Sequence, residues 1–354
     1  MKRSSLLCFL LCLALAPATF ADKIDDLIKA EMQNHHVAGL SMRVLKDGKE
    51  LKTESYGLAN LEWNVPATKD TVFEIGSMTK QFTAACILLL AEDGKLSVDD
   101  KISQHLKNTP AAWSNITIRH LLTHTSGIKN YTVMDGFEFS KHLTQEQFIE
   151  KMSTVPLSFQ PGDAFSYCNT GYNLLGFIVE NASGKKYWDF IQERIFTPLQ
   201  MTSTTSRNPG VILPHRAAGY ELIKGKHVNR DYDITDIFSA GAIVSTVEDI
   251  SKWNAALDGD KFLNATSRQL WWTPMKLNNG KIQNYGFGWF LDPLDNHKNI
   301  GHGGATSGFS ATIQRFPEDK LAIIILTNAD ETGLASSIAK KVAKLYFEDT
   351  VAAK

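Results

Sequence analysis

Hydrophobic and polar residues follow patterns that predict strands near both ends of the chain and helices between them. Asp47-Gly48 separates two such strands, and this dipeptide favours the tight turn of a β-hairpin. The predicted strands cover residues 38–46, 49–58, 285–291, 308–316 and 321–327. Helices are predicted over about 22–34 and from Leu334 to Phe347, while residues 93–240 show mixed helix and loop patterns.

This order of elements favours an α/β (α+β) fold in which strands from both termini form one antiparallel sheet flanked by helices. A mostly helical domain would be inserted between the two halves of that sheet. We therefore predict a discontinuous α/β domain of residues 22–92 and 241–354 and a helical domain of residues 93–240. The functional site is expected at their junction, where clefts commonly form.

The clearest helical pattern begins just after Ser77, which is followed three residues later by Lys80. The same Ser-x-x-Lys spacing recurs at Ser126, Ser183 and Ser337, so the spacing alone is weak. Only the copy at Ser77 opens a helix whose apolar residues all fall on one face. Those residues are Phe82, Ala85, Cys86, Leu89 and Leu90.

Residues three apart on a helix share a face, so the Lys80 amine can reach the Ser77 hydroxyl. A serine hydroxyl is a poor nucleophile unless a base lies beside it, and burial would lower the pKa of Lys80 towards the value that a base requires. Gly76 allows a sharp entry into the helix, whose first turn directs unpaired N–H groups towards a developing oxyanion. This segment therefore predicts a nucleophile with its base.

A second candidate segment is Tyr167-Cys168-Asn169, which follows a Pro-Gly turn at Pro161. If Tyr167 lies near Lys80, the positive charge would favour its phenolate, and it could pass the Ser77 proton to the leaving group. Asn169 could hold a substrate amide and Lys80 by hydrogen bonds.

The third segment, Gly301-His302-Gly303-Gly304-Ala305, precedes the predicted strand at 308–316. Its glycines would allow a substrate backbone to approach closely. An edge strand beside the nucleophile could bind an extended peptide-like substrate through main-chain hydrogen bonds and donate one N–H to an oxyanion hole.

Together these segments resemble the penicillin-recognising serine hydrolases, which include class C β-lactamases, DD-peptidases, D-aminopeptidases and related esterases. The resemblance covers residues 24–347 as one β-lactamase-related unit. It extends to Phe73–Gly76, Asp93–Asp100, Ile118–Gly127, Asn169–Tyr172, Ser239–Ala242, Tyr285–Trp289 and Leu326–Asn328. It implies a β-lactamase/transpeptidase-like fold that needs neither cofactor nor metal.

The resemblance also implies a role for each candidate residue. Ser77 would be the acyl-enzyme nucleophile, with Lys80 and Tyr167 as the general acid and base pair. Substrate would be bound by Asn169, His302, Gly304 and Ala305. The backbone N–H groups of Ser77 and Ala305 would form the oxyanion hole, and His302 would help to recognise a carboxylate.

Two departures from the family pattern widen the choice of substrate. Gly303 stands where many relatives have a Thr whose hydroxyl contacts the substrate carboxylate. His302 replaces the Lys of the lactamases, and a histidine with a pKa of about 6.5 is only partly charged at neutral pH. Both changes weaken the case for a potent β-lactamase.

Our first hypothesis is an exported serine hydrolase that attacks an amide or ester of a D-amino-acid or peptidoglycan-like peptide. The alternatives within the family are a β-lactamase or a carboxylesterase. An alternative from another class is a penicillin-binding or peptidoglycan-binding module that is acylated without turnover. The expected partners are a small peptide, β-lactam or ester substrate.

The first 21 residues are typical of an export signal: Lys2 and Arg3, an apolar run from Leu6 to Ala16, and a small-residue cleavage site ending at Ala21. We expect a periplasmic or secreted protein without a stable membrane anchor. Removal of the signal takes away only two charged residues and leaves a net charge of −3, so nucleic acid is not an expected partner.

The remaining histidines and cysteines are interpreted as structural. His120 and His124 have metal-ligand spacing, but the Glu of the zinc-protease motif is missing after His120. Cys86 and Cys168 stay in the mature chain, and a disulfide between them is disfavoured. Cys86 would lie about 13 Å along the helix from Ser77, whereas Cys168 belongs beside the serine.

Overall fold

The computed structural model describes residues 20–135, 143–259 and 261–352. Residues 1–19 of the predicted export signal and residues 136–142 of the predicted helical domain lie outside these ranges. Within the described ranges, no helix combines the length and the apolar character that a membrane span requires.

The helices are α1 Phe20–Asn34, α2 Thr79–Glu92, α3 Ile118–Leu122, α4 Gln145–Ser153, α5 Asn169–Ser183, α6 Tyr187–Ile191, α7 Val247–Ala256, α8 Ala265–Trp271 and α9 Leu334–Ala352. The strands are β1 Gly39–Lys46, β2 Lys49–Asn60, β3 Val65–Pro66, β4 Phe73–Glu74, β5 Thr205–Ser206, β6 Tyr220–Ile223, β7 Lys226–Asn229, β8 Ile243–Ser245, β9 Met275–Lys276, β10 Ile282–Gln283, β11 Ile300–Thr306, β12 Phe309–Phe316 and β13 Leu321–Thr327.

Strands from both ends of the chain form one six-stranded sheet in the order β11-β12-β13-β1-β2-β3. Each neighbouring pair is antiparallel, which confirms the predicted fold class. The predicted hairpin is confirmed as well: Asp47 and Gly48 both adopt positive φ, at 51° and 72°, as the tight turn requires. The division into domains at residues 92/93 and 240/241 stays a prediction.

Both faces of this sheet are buried, and β13 shows why its sequence is continuously apolar. Ile323 and Ile325 belong to the apolar cluster that includes residues of α1 and α9, whereas Ile324 and Leu326 belong to the larger cluster that includes α2. Successive strand residues point to opposite faces, so a strand covered on both sides can be apolar at consecutive positions.

The predicted strand at 285–291 is wrong. The structure has only isolated bridges there, which join Tyr285 to Phe290 and Phe290 to Gly301. Gly288 adopts a φ of +75°, and a Cβ on Gly286 would lie 2.3 Å from the Trp271 carbonyl oxygen. The chain therefore makes a tight turn that brings Tyr285 and Phe290 opposite each other.

Candidate active site

Ser77 lies in a single 3-10 turn, Gly76–Met78, which leads directly into α2. Gly76 has a φ of +50°, a backbone conformation that residues with a side chain rarely adopt. A Cβ there would also lie 2.7 Å from the backbone N of Ala305. The glycine thus permits both the turn and the close contact between this segment and β11.

Lys80 is fully buried and its Nζ lies 2.9 Å from Ser77 Oγ. Its other two partners are Asn169 Oδ1 and the Ala240 carbonyl oxygen, each at 2.7 Å. None of the three is a carboxylate. Burial therefore lowers the pKa of Lys80 well below its ordinary value, with only a small opposing effect from Cys168.

In its neutral form, which the lowered pKa favours, the amine would have a defined orientation. A neutral amine has two N–H groups and one lone pair, and the oxygens of Asn169 and Ala240 can only accept hydrogen bonds. If they take both N–H groups, the lone pair faces Ser77, and the serine hydroxyl becomes the donor. The amide of Asn169 is itself oriented, because its Nδ2 donates to Thr132 Oγ1 at 3.1 Å.

Tyr167 lies on the other side of Lys80, whose Nζ is 4.8 Å from the centre of the tyrosine ring. The phenol oxygen is buried and makes no hydrogen bond of normal geometry within the described ranges. Burial raises the tyrosine pKa, although the nearby Ser77 hydroxyl lowers it somewhat. The expected phenolate is therefore not favoured, because the same burial disfavours charge on both the phenol and the lysine.

The Gly301–Ala305 segment lies within β11, which forms one edge of the large sheet. Gly301 directs its N–H and carbonyl outward to Phe290, at 3.0 and 2.8 Å. Strand residues repeat every two positions, so the N–H groups of Gly303 and Ala305 face the same outer side. β11 lies directly beside Ser77, because a Cβ on Gly304 would lie 2.9 Å from the Ser77 nitrogen.

His302 is buried and both of its ring nitrogens have partners. Nδ1 lies 2.5 Å from the Gly303 carbonyl oxygen, and Nε2 lies 3.1 Å from the Tyr285 hydroxyl. Burial is the main cause that lowers the His302 pKa to about 3, and a positive charge on Lys80 acts in the same direction whenever that amine is protonated. The side chain is consequently neutral, so the carboxylate-binding role implied by the resemblance would lack a positive charge.

Tyr285 links His302 to a second buried histidine, His124. The Tyr285 hydroxyl lies 3.1 Å from His124 Nε2, and His124 Nδ1 accepts from the Cys168 backbone N–H at 3.0 Å. Since Nδ1 is an acceptor, a neutral His124 carries its proton on Nε2 and donates to Tyr285. Tyr285 then donates to His302, whose remaining N–H donates to the Gly303 carbonyl.

This hydrogen-bond chain holds the Tyr167 segment and the His302 segment at a fixed separation. The His124 ring packs on Tyr167 at a centroid distance of 4.2 Å, and burial lowers its pKa well below 6.5. Sequence reasoning treated His124 only as a structural histidine and gave Tyr285 no role. The signal for both lay in the segments shared with the family, Ile118–Gly127 and Tyr285–Trp289.

The other residues given structural roles are placed as follows. His120 Nδ1 accepts a hydrogen bond from the Thr117 backbone N–H at the start of α3. Cys86 and Cys168 are both free and buried. Within the described part of the chain, no group of three or more His, Cys, Asp or Glu residues is arranged to hold a metal ion.

Ser77 stands between two connected hollows that differ in character. One, of about 720 Å³, is lined by Tyr167, His302 and Gly303 and reaches α9. The other, of about 220 Å³, is lined by Asn169, Tyr232 and Ile237. Both also include Ala305, and of the predicted site residues only Lys80, which is fully buried, lines neither hollow.

Comparison with known proteins agrees with this geometry. The sequence profile of the beta-lactamase family matches residues 24–346. Penicillin-binding protein 4* of Bacillus subtilis (strain 168) is 31% identical over 346 residues, which cover 92% of this chain and 75% of that protein. Protein flp of Staphylococcus aureus (strain MW2) is 30% identical over 314 residues, and the match spans 86% of this chain but only 62% of that protein.

Solved structures show the same architecture. The octameric penicillin-binding protein homologue from Pyrococcus abyssi has a TM-score of 0.78 and 29% identity, covering 93% of this chain and 77% of that one. D-amino acid amidase from Ochrobactrum anthropi SV3, complexed with L-phenylalanine amide, has a TM-score of 0.79 and 25% identity, covering 93% and 99%. These matches confirm the resemblance and the fold class predicted from the sequence.

Proposed function

This chain belongs to the beta-lactamase family of serine hydrolases, and we propose that it cleaves amides or esters of D-amino acids or of peptidoglycan-like peptides through an acyl-enzyme on Ser77. The observation that carries this proposal is the contact between the Ser77 hydroxyl and the buried amine of Lys80, whose pKa burial lowers well below its ordinary value. A neutral amine with its lone pair towards a serine can take the proton as the oxygen attacks a carbonyl carbon.

The proposed reaction uses groups that already lie around the serine. As Ser77 Oγ bonds to the carbonyl carbon, Lys80 takes the hydroxyl proton, and the backbone N–H groups of Ser77 and Ala305 stabilise the oxyanion. Tyr167, which remains a protonated phenol, donates its proton to the leaving group and is reprotonated from Lys80. Water then reverses these proton transfers and releases the acid.

The substrate class rests on two kinds of support. The outward N–H groups of β11 suit a substrate with an extended, peptide-like backbone next to the scissile bond. One similar protein is named a penicillin-binding protein and another a D-amino acid amidase, and these names support a substrate of this class. The neutral His302 and the glycine at 303 favour a peptidase, amidase or esterase over a β-lactamase.

The test compares wild type with Ser77→Ala and with Ser183→Ala, which alters another Ser-x-x-Lys serine. Covalent labelling by a fluorophosphonate and hydrolysis of four substrates are measured: a D-amino-acid amide, a D-Ala-D-Ala peptide, a short-chain nitrophenyl ester and a chromogenic cephalosporin. Labelling and turnover should vanish only in Ser77→Ala. Turnover that persists in this variant would refute the assignment, and labelling without turnover in wild type would favour the binding module.

We also propose that the mature enzyme is exported after removal of residues 1–21. The proposal rests on the charged start, apolar run and small-residue cleavage site at the N-terminus. N-terminal sequencing of protein recovered from the periplasm or medium should begin at Asp22. Recovery of the protein with Met1 intact and only inside the cell would contradict export.

A further inference from the structure

We propose that Glu74 is a positioning residue, whose carboxylate holds together two segments that line the hollow for the acyl group of the substrate. The inference rests on the proposed function, since it concerns how the same reaction selects its acyl group. Glu74 belongs to the segment Phe73–Gly76 before the nucleophile, and the chemistry at Ser77 leaves this buried carboxyl group without a role.

The smaller of the two hollows beside Ser77 is the one that suits the acyl group. Tyr167 lines the larger hollow and does not line the smaller one. A leaving group that takes its proton from Tyr167 therefore lies in the larger hollow, which leaves the smaller one to the acyl group. The lining of this smaller hollow includes Thr306 from β11, and Tyr232 and Asp233 from the loop after β7.

Glu74 connects the end of β11 to that loop. It lies on β4, three residues before Ser77, and only 2% of its surface is exposed. Its Oε2 accepts a hydrogen bond from Thr306 Oγ1 at 2.7 Å, and its Oε1 accepts from Arg207 Nε at 3.3 Å. One carboxylate thus contacts β11 directly and reaches the loop through Arg207.

Arg207 is attached to the loop at two points. Its guanidinium donates to Asp231 Oδ1 at 3.3 Å, and its carbonyl oxygen accepts from Thr235 Oγ1 at 3.1 Å. Tyr232 and Asp233 lie between these two points in the sequence. The position of Arg207 therefore determines the position of the stretch of loop that lines the hollow.

The charges around Glu74 balance only while this residue is ionised. Two guanidinium groups and two carboxylates form the cluster, and they belong to Arg207, Arg216, Glu74 and Asp231. Neighbouring strands bring no further charge to Glu74: β8 and β13 carry no titratable side chain, and His302 of β11 and Arg315 of β12 are hydrogen-bonded elsewhere. Protonation of Glu74 leaves one positive charge of the cluster unmatched and weakens the attraction that holds Arg207.

Glu74 can take up a proton near neutral pH and still make both hydrogen bonds. Burial raises its pKa to about 7, although Thr306 and Arg207 act against the rise. The protonated acid can donate to Thr306 and accept from Arg207, and a glutamine offers the same one donor and one acceptor. Glu74→Gln therefore removes the charge alone and imitates the protonated residue at every pH.

The test compares two nitrophenyl esters that share their leaving group, the acetate and the hexanoate. The acetyl group leaves most of the smaller hollow empty, whereas the hexanoyl chain extends into it. Both esters depend equally on Ser77, Lys80 and Tyr167, so the titration of those groups cancels in the ratio of the two values of kcat/KM. The ratio of hexanoate to acetate therefore measures the acyl side alone.

In wild type this ratio should fall by about fivefold between pH 8 and pH 6, because a group with a pKa of about 7 is about nine-tenths protonated at the lower pH. In Glu74→Gln the ratio should be about tenfold below wild type at pH 8 and constant with pH. That loss is smaller than the ~10²-fold cost of a 1 Å misplacement. Asp249→Asn is the matched control and should follow wild type, since Asp249 is a buried carboxylate that lines neither hollow.

The outcomes separate the role of Glu74 from the proposed function. A ratio that is constant with pH in wild type, an equal loss on both esters in Glu74→Gln, or failure of both esters to acylate Ser77 would overturn the positioning role. If a D-amino-acid amide is cleaved and the ester ratio does not depend on Glu74, the proposed function stands and the positioning role fails. If the ratio behaves as expected and no D-amino-acid substrate is cleaved, the positioning role stands and the proposed substrate class fails.

Discussion

The buried histidine His302 makes the stability of the protein sensitive to acid in a way that can be calculated. Its pKa falls from 6.5 in the unfolded chain to about 3 in the folded protein. Between these two values the unfolded chain binds a proton that the folded protein does not. The free energy of unfolding therefore decreases as pH falls from 6.5 towards 3, and the loss stops only below the folded pKa.

One such proton changes the free energy of unfolding by about 1.4 kcal/mol per pH unit. Between pH 6.5 and pH 3 the free energy of unfolding falls by roughly 5 kcal/mol, and about 2.7 kcal/mol of this decrease has occurred by pH 4.5. His124 adds to the slope in the same direction, since burial also lowers its pKa. The loss calculated for His302 is large compared with the ~5–15 kcal/mol stability of a typical domain.

The assay is urea unfolding at pH 7.5, 6.5, 5.5 and 4.5 for wild type, His302→Gln and His215→Gln. Glutamine cannot titrate, so His302→Gln should lose stability less steeply, by about 1.4 kcal/mol for each pH unit below 6.5. His215 is exposed, and its replacement is the matched control that should keep the wild-type slope. Parallel curves for wild type and His302→Gln would show that His302 is not held neutral.

Three further variants test the chemistry at Ser77. Tyr167→Phe should lower kcat by ~10²–10⁴. Its free energy of unfolding should stay within about 1 kcal/mol of wild type, because the Tyr167 hydroxyl lacks a normal hydrogen bond. An unchanged acylation rate would remove Tyr167 from the mechanism. Gly304→Ala places a Cβ 1.9 Å from the Ile75 carbonyl oxygen, so the segment beside Ser77 must shift. The rate of fluorophosphonate labelling should therefore fall by about 10² or more. A wild-type labelling rate would contradict this close contact. Lys80→Met should abolish turnover. As pH falls from 10.5 to 7, the stability of this variant relative to wild type should increase, because only the unfolded wild-type chain gains a proton on Lys80. A stability difference that stays constant with pH would argue against a neutral Lys80.

The elements that sequence reasoning located well are those defined by local patterns. The β1–β2 hairpin depends on Asp47-Gly48, and β13 depends on an unbroken apolar run that ends at Thr327. Both signals lie within a few neighbouring residues. The failed strand at 285–291 shows the opposite case, because its aromatic residues suit a strand while Gly288 turns the chain.

The candidate site was predictable only as far as its parts lie close in sequence. The Ser77–Lys80 spacing fixes one helix face, and the structure brings Asn169 to the same amine from 89 residues away. No spacing rule indicates that Tyr285 would join His124 to His302, since that contact depends on how three separate segments pack.

The titratable groups around the serine act together, because burial disfavours the charged form of each. Burial is the largest cause of the lowered pKa of Lys80, His124 and His302, and a charge on Lys80 lowers both histidine pKa values further. Such coupling is reciprocal, so a proton on either histidine would make protonation of Lys80 more costly. With both histidines neutral, the proton from Ser77 meets no competing positive charge, and Lys80 is the group that can take it. A substitution that admits water to His302 would therefore change the protonation of Lys80 and the reactivity of Ser77, even if it contacts neither residue.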